Sequence, residues 1–362
     1  MPVRSSKRSA PARQQASAVG VRVRLKATKP ARRRPSAPAT FIPPMKAFSV
    51  ETVPAGTWRL EIKLDGYRAI AVLNQDKVKL WSRNRKPLDD YPEIQAALGN
   101  LPCAAAVLDG EIVALDESGK SRFQLLQGRG LPGARPTIVY YVFDVLQLDG
   151  RSLIATPLEE RQAALAALVG KNREPLRVSP VFEAEPDALL EAARQQGLEG
   201  IIAKAAGSLY EPDRRSGAWL KCKVHGEQEF VIAGFTPPKN SRSHFGALLV
   251  GYYEGKKLRY AGKVGSGFDY ARLQTLHTEM QRRQIATCPF SDLPQARRSR
   301  FGTGMTASAM RGVTWVRPEM VAQVRFTEWT EEGLLRHPVF LGLRTDKVAR
   351  ETVRERIAVS DT

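Results

Sequence analysis

Apolar and polar positions alternate in short runs along the first half of this chain. WRLEIKLDG, YRAIAVLNQ and KVKLWS (residues 58–82) carry β-branched residues and alternate apolar with polar positions, which predicts three strands. AAVLDGEIVAL (105–115) and TIVYYVFDVLQL (137–148) are two further strongly apolar strands. Helical periodicity takes over in LEERQAALAALV (158–169) and DALLEAARQQG (187–197), with Gly197 as a stop. LEGIIAK (198–204) and AWLKCKV (218–224) return to short strands. Strands and helices interleave without a regular βαβ spacing, which favours a mixed α+β domain over a Rossmann sheet.

From Glu229 the texture changes. EFVIAGFTP, FGALLVGYYEG and KKLRYAGKVGSG are short strands punctuated by Gly and Pro. A helix over 269–285 and a strand over 320–330 follow. Several short strands around one helix suit a small all-β OB-fold barrel. The fold class expected is therefore α+β: a domain of mixed antiparallel sheets and helices over 41–226, then an OB-fold over 227–362. No run of 18 apolar residues occurs, and the N-terminus lacks the apolar stretch of a secretory signal. Cys103, Cys222 and Cys288 are far apart and odd in number, which argues against a zinc cluster or a disulfide framework and for a reducing cytoplasm.

Charge adds one more segment. Residues 1–40 hold eleven of the 56 Lys and Arg and none of the 37 Asp and Glu, so they carry more than half of the net charge of +19. A segment this rich in Ser, Ala and Pro cannot bury enough surface to offset the entropy of ordering. It reads as a disordered basic arm that attracts phosphates, with a passive linker and an organellar transit peptide as the other readings.

Candidate chemistry begins at EIKLDGYR. Lys63 ends an apolar strand, Gly66 permits a tight bend, and Arg68 can then face the pocket that Lys63 faces. A lysine becomes a nucleophile when burial or nearby positive charge lowers its pKa, and Arg68 could supply that charge. A solvated turn with a salt bridge is the alternative for this motif alone. Glu111 in LDGEI and Glu199 in EGIIAK stand in apolar runs of a basic chain, as carboxylates for Mg²⁺ do. Lys221 and Lys223 share one strand face and would repel without an anion between them. A solvated strand edge is the competing reading.

In order, EIKLDGYR, SRNRK, LDGEIVAL, YYVFDVLQLDG, EGIIAK, WLKCK and RHPVFLGLRTDK resemble the successive motifs of the covalent nucleotidyltransferases, above all the ATP-dependent DNA ligases. The finer texture is similar to the ligase module of bacterial end-joining ligase D. The resemblance spans residues 41–350 and implies an adenylation domain followed by an OB-fold. It implies that Lys63 carries AMP, that Glu61, Arg68, Arg83, Glu111, Phe143, Lys221, Lys223, Arg336, Arg344 and Lys347 bind ATP or AMP, and that Glu111, Glu199 and Asp346 serve the metal. Phe143 would stack on adenine, though a core position fits it equally. The motif usually written SRNG ends here in Arg85, so the turn after Arg83 has to form without glycine. The implied cofactors are ATP and Mg²⁺, with Mn²⁺ as a substitute. The implied partners are nicked or broken duplex DNA, a Ku-like end-binding protein and a separate repair polymerase, in a bacterial cytoplasm at the nucleoid. An RNA ligase, a GTP-dependent capping-type enzyme and a non-catalytic OB protein are the alternatives.

Overall fold

The computed structural model describes residues 38–355 apart from 76, 128–135, 171–172, 239–242, 293–309 and 311. Residues 1–37 of the basic arm lie outside them. Along the chain run β1 (Phe48–Val50), β2 (Trp58–Ile62), β3 (Tyr67–Asn74), β4 (Lys77–Ser82), α1 (Pro92–Gly99), β5 (Ala105–Leu115), α2 (Phe123–Gln127), β6 (Thr137–Leu148) and β7 (Arg151–Ser152). Then come α3 (Leu158–Val169), β8 (Leu176–Val178), α4 (Pro186–Gln195), β9 (Gly200–Ala205) and β10 (Trp219–Lys223). The last part holds β11 (Gly226–Phe235), β12 (Leu248–Glu254), β13 (Lys257–Val264), α5 (Tyr270–Gln281), β14 (Gln284–Ile285), β15 (Thr314–Phe326) and β16 (Val339–Leu343).

The first sheet has the order β4-β3-β5-β6-β7, with β8 beside β6. Its central strand β5 is apolar apart from Asp109 and Glu111, because both faces are covered. Leu108, Ile112 and Ala114 join the core under α1 and α3, while Ala105 and Val107 pack with Met45, Tyr210 and Trp219. The second sheet, β1-β10-β9-β2, lays Leu60, Ile201, Ala203, Leu220 and Cys222 against Leu189 and Ala193 of α4. Each fully buried Leu or Ile of this kind contributes roughly 1.5–3 kcal/mol. α4 stops where expected, at Gly197 with φ +65°.

Sheet membership changes between Lys223 and Gly226. All later strands belong to a third sheet, β13-β12-β11-β15-β14, with β16 against β15. Bulges at Ile232/Gly234, Val250/Gly251 and Gln323/Val324 curl it into an OB-like barrel. α5 closes one end with Leu273, Leu276 and Met280, and its Asp269 cap accepts from the Arg272 N–H at 2.8 Å. The architecture is thus the expected α+β unit followed by a smaller β-rich one.

Two expectations need correction. The helix over 269–285 ends at Gln281, and its last residues form β14. The basic arm cannot extend to residue 40: Ala39 is buried, and its N–H and C=O are both bonded by the Asn74 side chain. No helix among the described residues is long and apolar enough to cross a membrane.

Candidate active site

The second sheet has two unlike faces because side chains alternate along each strand. One face is the apolar layer on α4. The other presents Glu61, Ile202, Lys204, Trp219, Lys221 and Lys223 to a cleft. Lys63 continues the alternation just past β2, its N–H donating to the Gly200 carbonyl at 2.9 Å. Gly66 makes the bend that follows, but not through an unusual φ. A Cβ there would lie 2.2 Å from the Ile112 carbonyl oxygen, so the glycine is required by close strand approach. Gly66→Ala should cost at least about 3 kcal/mol of stability, read by denaturant titration. A variant as stable as the parent would show that the strands yield there.

Lys63 is not activated by a neighbouring cation. Its Nζ lies 2.5 Å from Glu199 Oε1. Burial pulls the ammonium down, but Glu199, then Glu111 and Glu227, outweigh it, and the net shift is upward. Arg68 turns away to Asp109, with Nε and Nη2 each 2.6 Å from a carboxylate oxygen. Tyr210 Oη fixes that carboxylate from the far side at 2.7 Å. The guanidinium, so held, stacks over Phe143 at 4.8 Å and Trp219 at 5.6 Å.

Ligand oxygens of Asp65, Glu199 and Glu227 all lie within 4.8 Å of one another. Burial, then repulsion from Glu199 and Glu227, pushes Asp65 up to about 7. Burial and Glu199 likewise raise Glu227. Three crowded, poorly solvated carboxylates fit a divalent cation of the Mg²⁺ type, which takes oxygen ligands. Of the acids expected at the metal, Glu199 belongs to this group. Glu111 lines the cleft nearby, pushed up to about 7 chiefly by burial. Asp346 accepts two bonds of 2.8 Å from Arg344 instead.

At one end of the cleft Glu61 pairs with Lys204 at 2.5 Å, both almost fully buried. The Lys204 ammonium lies 4.4 Å from the Phe143 ring centroid and 4.5 Å from that of Trp219. Phe143 is therefore part of an aromatic wall, packed edge to face with Trp219. Arg83 lines the same cleft, and burial lowers its pKa. The turn after it forms without glycine, because Arg85 adopts φ +55°.

The β-rich unit supplies the opposite wall. Lys347 Nζ pairs with Glu229 at 2.8 Å, and Arg344 lies over Phe123 at 4.9 Å. Lys221 and Lys223 do hold an anion between them, a carboxylate of the chain itself. Glu355 is 2.7 Å from Lys221 Nζ and 3.2 Å from Lys223 Nζ. Arg336 is not brought to this group. It pairs with Glu328 across a turn, outside the cleft lining. Sequence reasoning missed Asp65 and Glu227 as carboxylates of the metal type, and Glu229 and Glu355 as partners of the cations. Glu227 and Glu229 did carry a signal, two acids at a period of two in GEQEFVI.

A nucleophile-type lysine, the carboxylates of Asp65 and Glu199 and cations from two units in one cleft are what nucleotidyl transfer requires. A family model described as the ATP dependent DNA ligase domain matches residues 44–223, and one described as the ATP dependent DNA ligase C terminal region matches 241–347. The solved structure of a mycobacterial DNA ligase D complexed with ATP and MES is 33% identical. It superposes with a TM-score of 0.62, the match covering 87% of this chain and 98% of that one. The chain belongs to the ATP-dependent DNA ligases. Longer relatives agree. The multifunctional non-homologous end joining protein LigD of Pseudomonas aeruginosa is 42% identical over 341 residues, 92% of this ligase and 39% of that protein. Its namesake in Mycobacterium bovis is 36% identical over 310 residues, 85% of this ligase and 39% of that protein. The ligase thus spans about two fifths of the length of these relatives.

Proposed function

We propose that this ligase seals 3′-hydroxyl/5′-phosphate nicks in duplex DNA through AMP carried on Lys63, and that it serves end joining or related repair at the nucleoid. One observation carries the reading: Lys63 shares a single cleft with Asp65 and Glu199 of the carboxylate trio and with the cations of Lys221, Lys223, Arg344 and Lys347. The Lys63 amine attacks the α-phosphorus of ATP, the N–P bond forms, and pyrophosphate leaves with the broken P–O bond. Positioning and charge dominate such a transfer. A 5′-phosphate oxygen then takes the AMP from Lys63, and the 3′-hydroxyl displaces AMP to close the strand. Glu61, Lys204 and Phe143 would hold the adenine. Arg68, Arg83 and Glu111 would contact the sugar and phosphates. Asp65, Glu199 and Glu227 would hold Mg²⁺ or Mn²⁺, whose charge would offset that of Glu199 and favour the neutral Lys63 amine. A Ku-like end-binding protein and a repair polymerase belong to the same proposal, on the strength of the end-joining relatives. Incubation with ATP labelled at the α-phosphate should leave covalent label on the protein, and nicked duplex should discharge it as sealed product. Label that DNA never discharges would exclude the ligase reading.

Lys221 gives this reading a pH signature. Burial, then the neighbouring Lys223, pulls its ammonium down to about 8. Below that pH the free enzyme offers a cation to the α-phosphate, and above it a neutral amine. The kcat/KM for self-adenylation should therefore break downward near pH 8, whereas kcat, which reports the ATP-bound form, should not. Lys221→Arg keeps its charge and should remove the break. A break that survives this substitution takes Lys221 out of the phosphate site.

The basic arm should act on DNA and not on ATP. A chain starting at Pro38 keeps the Ala39 clamp and loses all eleven arm charges. Each phosphate contact adds roughly 0.9 to the slope of log affinity against log salt, so the slope should fall by about 3 to 6. Equal slopes for the two chains would make the arm a passive linker.

A further inference from the structure

We propose that Lys86 is a positioning residue for enzyme adenylation, fastening the turn that carries Arg344 and Lys347 in place over Lys63. The inference rests on the reading of those two residues as partners of the ATP phosphates.

Lys86 Nζ donates to the Thr345 carbonyl at 2.8 Å and to the Lys347 carbonyl at 3.0 Å. Those carbonyls belong to a turn closed by the Lys347 N–H on the Arg344 carbonyl at 3.2 Å. The bonds therefore run from the α+β unit to the β-rich unit. They reach the backbone of the segment whose side chains enter the cleft. Lys86 itself does not line the cleft.

The turn's side chains are already arranged by their own unit. Asp346 holds the Arg344 guanidinium, and Glu229 holds the Lys347 ammonium. These bonds fix the shape of the cationic group but not its place relative to Lys63. Beside the contact of Arg344 with Phe123, Lys86 supplies a fixed point for that placement on the turn's backbone. It ends a turn closed by the Ser82 N–H on the Lys86 carbonyl at 2.8 Å and by the Arg85 N–H on the Ser82 carbonyl at 2.9 Å. Its own N–H donates to Ser82 Oγ at 3.1 Å. Arg85 takes φ +55° to complete this geometry. One rigid turn thus delivers Arg83 to the cleft and Lys86 to the opposite wall. An ammonium suits two carbonyls at once, because it has three donors and its charge strengthens each bond. Among the described residues no carboxylate pairs with Lys86, so these carbonyls are its main partners.

The test compares Lys86→Ala and Lys86→Arg in two assays, self-adenylation with ATP and sealing of a pre-adenylated nick. Lys86→Ala should lower the adenylation rate at saturating ATP roughly tenfold, the scale of one strong bond lost from the organised state. Sealing of the pre-adenylated nick should be unchanged, and Lys86→Arg should recover most of the rate. Wild-type adenylation by Lys86→Ala would overturn the inference. So would equal loss in both assays with a lower Tm, which marks a folding role. An Arg344→Ala/Lys347→Ala protein run in parallel separates the two levels. Normal adenylation by that protein defeats the reading of the turn itself. Slow adenylation there beside normal adenylation by Lys86→Ala defeats only the fastening role.

Discussion

Lys63→Ala is expected to abolish covalent labelling by ATP, by at least about 10,000-fold, because it removes the amine that forms the N–P bond. Sealing of an ordinary nick should vanish with it. Joining of a pre-adenylated nick should persist, since the last step uses the bound AMP as leaving group and not the amine. The fold should survive. Lys63 is tied into the sheet by its backbone N–H on the Gly200 carbonyl, a bond that alanine keeps. Removing the ammonium leaves Glu199 facing Asp65 and Glu227 without its nearest counter-charge. The variant should therefore be slightly less stable at neutral pH than at pH 5, where protonation relieves the crowding. Labelled Lys63→Ala protein would remove this lysine from the mechanism.

Arg344→Ala combined with Lys347→Ala should slow self-adenylation by about 100- to 1,000-fold, the usual scale for losing preorganised donors from a developing anion. Sealing of a pre-adenylated nick should change far less. Point variants are the proper instrument. Truncation before Glu331 would remove β16, whose Phe340 is buried in the barrel core, and would confound catalysis with unfolding. Replacing the pair leaves Glu229 and Asp346 without their cations, so a melting curve should accompany the kinetics. Adenylation at the parental rate would confine the β-rich unit to DNA binding.

The strands around the site were legible because their periodicity is local. β5 and β6 coincide with the runs AAVLDGEIVAL and TIVYYVFDVLQL, and the shared face of Lys221 and Lys223 follows from a period of two. Partner choice was not legible. Arg68 stands five residues from Lys63, yet it is held by Asp109, on a strand 41 residues away. Nothing near Lys63 in the chain reveals Glu199 as its neutralising partner, so the expected downward shift became an upward one. Arg336 and Arg344 sit in one motif, but β16 lies between them and carries only the second to the cleft. Asp346, expected at the metal, is paired with Arg344, two residues away. Glu355 gave no local sign of its place between two lysines 132 and 134 residues earlier.

The two-faced sheet has a consequence for how this ligase can change length. Glu61, Lys204, Lys221 and Lys223 reach the cleft only because each falls on the right phase of an alternating ladder. Inserting or deleting one residue within β2, β9 or β10 inverts that phase. It would turn charges into the layer on α4 and present leucine and isoleucine to the nucleotide. A change of two residues restores the phase and shifts the group along the strand by about 6.6 Å. Length variation in these strands is thus governed by parity: odd steps exchange the reactive surface for the core, and even steps keep the surface but move it.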